Sequence, residues 1–214
     1  MSQPYLLYVD SQNLSPYAMS VFVTLTEKGL PFELRTVDLE SGANRQPDYA
    51  ALTGMQRVPL LLAGDFRLAE SSAISEYLED CHPAPAVYPA AAQLRAQARQ
   101  VQAWLRSDLM PLREQRTTEV VFRRPAIAPL DAAGQQAAAK LVAVASELLA
   151  HGGANLFGDW CIADADLALM LQRLLRAGDP LPQRLADYAA QQWQRPSLQA
   201  WRRLGDAAGA GVSP

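Results

Sequence analysis

Three short pairs of residues have types and spacing suited to binding a small peptide. They are Ser15-Pro16, Val58-Pro59 and Glu70-Ser71. Proline at the start of a strand removes one ladder donor, so the second pair suits a strand's first residue or a special turn. A cis bond before this proline would turn the N–H and C=O of Val58 outward. Those groups would then pair with an extended peptide laid alongside, in a miniature form of strand addition.

The third pair supplies a contact of a different kind. The stretch from Arg57 to Ile74 is predicted to form two strands joined by a tight turn, and then a helix that begins at Glu70-Ser71. The free N–H groups of that helix and the Ser71 hydroxyl attract a carboxylate, and Glu70 attracts an ammonium group. Peptide backbone at one end and an amino-acid head group at the other match glutathione. The sequence therefore predicts a glutathione site.

Ser15 is the candidate for activating a thiol. It precedes Pro16, and because proline favours the first position of a helix, Ser15 is the expected N-cap. A cap that only stabilises the helix is one interpretation. In the other, the hydroxyl donates a hydrogen bond to a thiolate that the positive end of the helix dipole also favours. The accompanying binding motifs favour the second interpretation, and Tyr8 at the end of the first strand is the competing candidate.

The elements that must position these residues are predicted from hydrophobic patterning. A strand, a helix and an alternating strand come first, followed by a loop with a short helix and by the two strands and helix of the binding motifs. The first four of these segments are predicted over 5–9, 16–28, 32–39 and 41–52. A proline-rich stretch, 83–89, interrupts the periodicity. Beyond it the breaks in the pattern indicate four or five helices packed as a bundle.

The order of the three pairs resembles that of the glutathione S-transferase superfamily, in its serine-using, theta-like or zeta-like bacterial form. Two further stretches carry the resemblance. Gly29–Leu39 is similar to the segment between the first helix and the second strand of that family, and Phe157–Asp164 is similar to the marker before its long core helix. The resemblance covers nearly the whole chain, with the three pairs and these two stretches in the correct order and spacing.

The resemblance implies a fold and a division of the chain. The expected fold is an α/β thioredoxin-like N-terminal domain (βαβ-ββα) followed by an all-α helical bundle, which is the glutathione transferase fold. Residues 1–82 would form the glutathione-binding domain, residues 83–93 the linker, and residues 94–214 the helical domain that carries the electrophile site. The family is usually dimeric, so a homodimer is expected.

The activity implied by the resemblance is that of a glutathione-dependent transferase in which Ser15 activates the thiolate of the co-substrate glutathione. The residues expected to bind glutathione are Val58, Pro59, Glu70 and Ser71. For the glycine carboxylate the candidates are Arg45, Gln46 and Arg57, of which Arg57 is preferred. The residues expected at the electrophile site are Trp104 and Arg113. Small apolar electrophiles and organic hydroperoxides are the expected second substrates, so glutathione peroxidase activity and a role in detoxification and oxidative stress belong to the prediction.

Some positions depart from the family pattern. Met19 stands where relatives often keep a basic residue, which removes one stabiliser of the thiolate. A capping box is expected between residues 161 and 164, with Asp164 as one partner. The other partner is Cys161 instead of a hydroxyl residue, and a thiol is a poorer hydrogen-bond acceptor. The loop that holds Ser15 has no cysteine, which argues against a thiol-transferase, and Asn13-Leu14-Ser15 lacks the Ser-Ser-Cys run typical of the zeta type. The alternatives are a non-catalytic glutathione-binding or adaptor module and a zeta-like isomerase or dehalogenase.

Composition and charge bear on the remaining classes of function. The net charge of −3 gives no reason to expect nucleic acid, and no apolar run approaches the length of a membrane span. No signal peptide opens the chain, and the two cysteines lie far apart without a zinc spacing, so a cytoplasmic protein without a metal is expected. Residues 1–82 hold eleven acidic and five basic residues, and the remainder hold eleven and fourteen. An acidic first domain that meets the basic second domain of a partner would suit a two-fold dimer.

Overall fold

Four short strands form one mixed sheet in the order β2-β1-β3-β4. They are β1 (Tyr5–Asp10), β2 (Phe32–Val37), β3 (Leu60–Ala63) and β4 (Phe66–Ala69), in a computed structural model that describes residues 4–123 and 127–210. β1 pairs in parallel with β2 and antiparallel with β3, and β3 pairs antiparallel with β4. A parallel pair needs a crossover, and helix α1 (Pro16–Glu27) supplies it between β1 and β2.

The helices around this sheet follow the predicted order. A 3-10 turn (Ala43–Arg45) and the short helix α2 (Pro47–Ala50) follow β2, and helix α3 (Ser71–Cys81) follows β4. Helices α1 and α3 pack against each other, and the buried hydroxyls of Thr24 and Ser75 form a hydrogen bond of 3.0 Å between them. The observed order βαβ-ββα confirms the predicted thioredoxin-like arrangement.

A buried ion pair joins the ends of α1 and α3. The Lys28 ammonium pairs with the Glu79 carboxylate and donates hydrogen bonds to the C=O groups of His82 (2.6 Å) and Pro85 (2.9 Å). The same carboxylate accepts the N–H of Val87 at 3.0 Å. These contacts replace the water that both charges lose on burial, and they attach the proline-rich segment after α3 to the end of α1.

The second half of the chain forms a bundle of helices. They are α4 (Ala92–Ser107), α5 (Met110–Gln115), α6 (Thr118–Phe122), α7 (Ala132–Leu148), α8 (Ile162–Ala177) and α9 (Gln183–Trp193). Helix α8 is the core element, because most of its residues are buried and it packs against α4, α6, α7 and α9. The predicted all-helical second part of the fold is confirmed, with these six described helices in place of the predicted four or five because the segment after α4 forms two short helices, α5 and α6.

Helix α8 begins at the predicted capping box between Cys161 and Asp164. One oxygen of the Asp164 carboxylate accepts the N–H of Cys161 at 2.9 Å, and the other accepts the N–H of Leu156 and the O–H of Tyr188, each at 2.8 Å. Burial, together with the adjacent carboxylate, raises the pKa of the Cys161 thiol, which keeps it protonated and unreactive. This cluster therefore starts the core helix and takes no part in thiol chemistry.

Internal contacts divide the described chain into two units. The second is Tyr88–Pro196, and the first contains the residues up to Val87 together with those from Ser197 onward. Helix α10 (Pro196–Ala210) contributes to the first unit through Trp201, which is fully buried with its ring 5.3 Å from that of Phe22. The sequence places this segment within residues 94–214 of the predicted helical domain. Within the described residues, no helix has the length and apolar character needed to cross a membrane.

Candidate active site

The strand register brings the three predicted pairs to one end of the sheet. Tyr8 of β1 lies opposite Leu60 of β3, and Leu60 lies opposite Ala69 of β4. Because β3 runs antiparallel to both neighbours, the end of β1, the start of β3 and the end of β4 lie at the same edge. The first pair lies in the loop after β1, the second immediately precedes β3, and the third immediately follows β4. The sheet thus gathers residues that are distant in sequence.

Left-handed backbone conformations cluster at this end. The described chain has four non-glycine residues with positive φ, and three of them lie in or beside the predicted pairs, namely Asn13 (53°), Gln56 (51°) and Glu70 (71°). Such conformations cost on the order of 1–3 kcal/mol each and persist only where the surrounding structure enforces them, commonly at functional sites. The cost is lowest for Asn13, because asparagine tolerates this region. Three constrained loops at one sheet edge therefore indicate a binding site.

Ser15 is the N-cap of α1, as predicted. Its Oγ accepts the N–H of Ala18 at 3.2 Å, and Pro16 occupies the first helical position. A hydroxyl has one donor and two acceptor sites, and none of the described residues accepts the Ser15 proton. The half-buried hydroxyl therefore retains a proton that it can donate at the positive end of the helix.

Asp10 organises the loop before Ser15, and no sequence motif predicted this role. Its carboxylate accepts the N–H groups of Leu14 (2.6 Å) and Ser15 (2.9 Å), and its C=O accepts the N–H of Asn13 (3.0 Å). Although it is an acid at the end of a strand, Asp10 is only 6% exposed. The available signal was an acidic residue at the end of an apolar strand, five positions before the serine of a Ser-Pro helix cap.

Val58 presents its backbone at the same edge. The Val58-Pro59 bond is cis, and within the described chain neither the N–H nor the C=O of Val58 has a hydrogen-bond partner. The Val58 side chain packs against an apolar cluster formed by Val37, Tyr49 and Leu60. The side chain is thus anchored while both peptide groups are available to a ligand.

Tyr49 supports this segment from the apolar cluster. Its O–H donates to the C=O of Arg57 at 2.8 Å, and its ring packs edge-on against Tyr8 with the centroids 5.7 Å apart. Burial, followed by the neighbouring Tyr8 phenol, raises the pKa of Tyr49 to about 12, so its hydroxyl stays protonated near neutral pH. Tyr8, the alternative thiol-activating residue, is half-buried and contributes its ring to this packing.

Glu70 and Ser71 differ in exposure at the start of α3. Glu70 holds the N-cap position without a side-chain capping bond, and it is exposed. Ser71 is 4% exposed. The first N–H groups of α3 lie beside both residues and lack partners within the helix. A ligand ammonium near Glu70 and a ligand carboxylate at the helix start would match the two charges of an amino-acid head group.

The predicted electrophile-site residues both lie in the second unit. Trp104 lines a cavity of about 680 Å³ that is also lined by Val144 and Leu148 of α7. Arg113 is not among the lining residues, and its guanidinium donates to the C=O of Arg106 at 2.8 Å. Trp104 is therefore beside an apolar cavity, whereas Arg113 is held by backbone.

Two further positions bear on the predicted chemistry. Arg57 is exposed immediately before Val58, the segment in which the family resemblance locates the partner of the glycine carboxylate. Met19 is fully buried, so a cation at this position would lose its water. An apolar residue four places after Ser15 therefore follows from the packing of α1. In the parts of the chain that the structure describes, no three His, Cys, Asp or Glu side chains are grouped to hold a metal ion.

Family models match most of the chain. The glutathione S-transferase N-terminal domain matches residues 14–81, and the glutathione S-transferase C-terminal domain matches residues 92–206. The chain is 34% identical over 198 residues to glutathione S-transferase 3 of Zea mays, which covers 88% of this chain and 83% of that protein. It is 37% identical over 99 residues to glutathione S-transferase theta-2 of Rattus norvegicus, which covers 46% of this chain and 40% of that protein.

A solved structure resembles the chain over nearly its full length. It is that of a glutathione transferase homologue from Burkholderia GL BGR1 with bound glutathione. The sequences are 45% identical, the TM-score is 0.78, and the match covers 96% of this chain and 100% of the homologue.

Proposed function

The chain belongs to the glutathione S-transferase family, and from that premise we propose that it binds reduced glutathione and activates the thiol for transfer to an electrophile. The observation that carries the proposal is the meeting of three constrained loops at one sheet edge, each with a group suited to a different part of the tripeptide. The relative with bound glutathione, 45% identical to this chain, supports glutathione as the co-substrate.

Each part of glutathione has a proposed partner among the groups at this end of the sheet. The N–H and C=O of Val58 pair with the cysteinyl backbone of glutathione, as an added strand pairs with a sheet edge. The exposed Glu70 carboxylate pairs with the ammonium of the glutamyl end, and Ser71 and the first N–H groups of α3 bind its carboxylate. Arg57 is the proposed partner of the glycine carboxylate, since it is exposed beside Val58.

Thiol activation falls to Ser15. Its hydroxyl accepts the N–H of Ala18 and keeps its own proton for the glutathione sulfur, so it donates to the thiolate more strongly than to the thiol. The positive end of α1 adds to this preference. A free thiol has a pKa of about 8.5, and each unit of depression corresponds to about 1.4 kcal/mol in favour of the thiolate. The packing of Tyr8 against Tyr49 favours Ser15 over Tyr8 for this role.

Organic hydroperoxides are the proposed second substrates alongside small apolar electrophiles. The thiolate attacks the terminal peroxide oxygen, the O–O bond breaks, and the alkoxide takes a proton to become the alcohol while glutathione becomes a sulfenic acid. A second glutathione then displaces water from that sulfur and gives the disulfide. The departing alkoxide takes its proton from water, so this reaction needs a reactive thiolate and space for an apolar tail, whereas addition of the thiolate to an aryl halide places a negative charge on the ring that the site must stabilise.

We further propose that the protein is a cytoplasmic homodimer. The excess of acidic residues in the first 82 positions and of basic residues in the remainder supports a two-fold arrangement that pairs opposite charges. A non-catalytic glutathione-binding or adaptor module is the alternative. The presence of Ser15 together with all of the proposed binding residues favours the enzyme, because an adaptor does not need a thiol-activating residue.

Glu70→Ala tests the proposed site. Loss of the partner for the glutathione ammonium is expected to weaken binding by about 1.5–3 kcal/mol, which is roughly tenfold to 150-fold in Kd. Titration calorimetry of wild type and variant with reduced glutathione measures the difference. Glu147→Ala, which changes another exposed glutamate in the second unit, is the matched control and should leave Kd unchanged. Equal affinity in wild type and Glu70→Ala would remove Glu70 from the site.

A further inference from the structure

Asp10 is not among the proposed ligand-binding residues, but it accepts hydrogen bonds from an unbroken run of backbone N–H groups. Three consecutive N–H groups, those of Asn13, Leu14 and Ser15, all donate to this residue, at 3.0, 2.6 and 2.9 Å. Its backbone accepts the first, and its carboxylate oxygens accept one each of the other two. A nearly buried carboxylate with both oxygens bonded to backbone N–H groups is held in a single orientation.

These bonds fix the loop rather than the helix. Helix α1 already has its cap, because the Ser15 hydroxyl accepts the N–H of Ala18. The Leu14 and Ser15 N–H groups precede the helix, so their bonds to Asp10 determine where the chain enters it. Asn13 adds a constraint on the other side, since it has a φ of 53° and its side-chain amide donates to the C=O of Leu204 at 3.4 Å.

We propose that Asp10 is the positioning residue for thiol activation: it holds Ser15 where its hydroxyl donates to the sulfur of bound glutathione. The inference rests on the proposed function, because it needs Ser15 to act on that sulfur. Asp10 does not touch the ligand in this role. Its side chain sets the position of the Ser15 backbone, and the Ser15 backbone sets the position of the hydroxyl.

The negative charge of Asp10 and its positioning of Ser15 are expected to shift the pKa of the glutathione thiol in opposite directions, which makes the proposal testable. A negative charge near the sulfur opposes the thiolate, so removing that charge alone would lower the thiol pKa. Loss of positioning would raise the thiol pKa, since the thiolate loses the Ser15 hydrogen bond. Asp10→Asn keeps the shape of the side chain but replaces one acceptor oxygen with an NH₂ donor, so one of the two backbone N–H groups loses its acceptor.

The experiment is ultraviolet titration of the thiolate in bound glutathione, together with steady-state kinetics. Asp10→Asn is expected to raise the thiol pKa by about one unit and to lower kcat roughly tenfold while KM for glutathione changes little. Ser15→Ala should do the same. In the Ser15→Ala background, Asp10→Asn should raise the pKa no further, because no hydroxyl remains to be positioned.

Asp131→Asn is the matched control for a loss of stability. Asp131 caps α7 in the second unit and likewise accepts a backbone N–H, that of Gly134 at 2.7 Å. The Asp131→Asn variant is expected to have a lower melting temperature and an unchanged pKa of the glutathione thiol. If Asp10→Asn does not fold, Asp10→Glu takes its place. This variant keeps the negative charge, but its side chain is longer by one methylene group and so displaces the loop. A raised pKa of the glutathione thiol is again expected.

The outcomes separate the inference from the function on which it rests. An unchanged or lowered thiol pKa in the folded Asp10 variant, with a raised pKa in Ser15→Ala, would overturn the role of Asp10 alone. Wild type that binds no glutathione, or Ser15→Ala with unchanged thiol pKa and rate, would overturn the proposed function or the role of Ser15 in it. A raised pKa in both single variants without additivity in the double variant supports the positioning role.

Discussion

At the scale of single residues, the candidate site depends on side chains that hold backbone in place. Tyr49 is the example on the Val58 side. Its hydroxyl donates to the C=O of Arg57, directly before the peptide groups that Val58 presents. Because burial and the Tyr8 phenol raise its pKa to about 12, Tyr49 remains a donor throughout the neutral range. A neutral tyrosine suits this position better than a charged donor, since the surrounding cluster is apolar.

Tyr49→Phe is expected to destabilise the protein by about 1 kcal/mol at pH 7, because the Arg57 C=O loses its partner. The folded-state pKa of about 12 lies above the ordinary value of 10.0, so the contribution of Tyr49 is complete below pH 10 and is lost as pH rises towards 12. Urea unfolding of both proteins at pH 7 and pH 11 measures this dependence. The stability advantage of wild type should shrink at the higher pH, and an equal advantage at both values would contradict the burial of the hydroxyl.

At the scale of elements, α1 and α3 are joined by a buried pair that has a surface counterpart in the same unit. The side chain of Lys28 is 0% exposed and that of Glu79 is 6% exposed, whereas Arg35 and Glu33 on β2 are 56% and 49% exposed. Removing one member of a buried pair leaves an uncompensated charge in the interior. Removing one member of an exposed pair leaves a charge that water solvates. Similar pairs should therefore differ in their effect on stability.

Lys28→Met is expected to lower the free energy of unfolding by about 3–5 kcal/mol, since Glu79 is left buried without its cation. Arg35→Ala should cost only about 0–1 kcal/mol. In the double variant Lys28→Met/Glu79→Gln the buried charge is gone while an acceptor for the Val87 N–H remains, so stability should partly return. Chemical denaturation measures all three proteins. A double variant less stable than Lys28→Met would argue against an uncompensated charge as the cause.

At the scale of the whole molecule, the proposed glutathione groups lie in the first unit and the cavity beside Trp104 lies in the second. Which second substrate is turned over faster should depend on how much stabilisation of negative charge each reaction requires. Methionine at the buried position 19 supplies no charge to stabilise an anionic intermediate. Reduction of a hydroperoxide, whose alkoxide takes a proton from water, requires less of such stabilisation than addition of the thiolate to an aryl halide, so the two reactions should be catalysed unequally.

Turnover of cumene hydroperoxide is expected to exceed that of a chlorinated nitrobenzene by about tenfold, which corresponds to about 1.4 kcal/mol of stabilisation of the anionic ring that Met19 does not supply. Glutathione-coupled assays at equal glutathione saturation measure the two rates, with a cis-diene substrate in the same panel. Faster conjugation of the aryl halide would contradict the hydroperoxide proposal. Isomerisation of the diene alone would favour the zeta-like alternative, and binding of glutathione without any turnover would favour the adaptor.

Features with local signals could be predicted from the amino-acid sequence. Ser15 before Pro16 predicted the cap of α1, and Glu70-Ser71 predicted the start of α3. The pairing of Cys161 with Asp164 at the start of α8 is equally local. Each of these features depends on residues within four positions of one another, because helix caps and turns are closed by short-range hydrogen bonds. The hydrophobic patterning also predicted the βαβ-ββα order and the helical second half.

Which distant residues meet follows from the packing and strand pairing of the folded chain. The register of β1 with β3 brings the loop after β1 to the hairpin formed by β3 and β4, and it results from pairing between two strands that lie far apart in sequence. The burial of Asp10 and Met19, and the packing of Trp201 of α10 in the first unit, depend on partners that no local pattern specifies. Periodicity shows that a helix has an apolar face, but the core that receives this face is chosen by the packing of the whole chain.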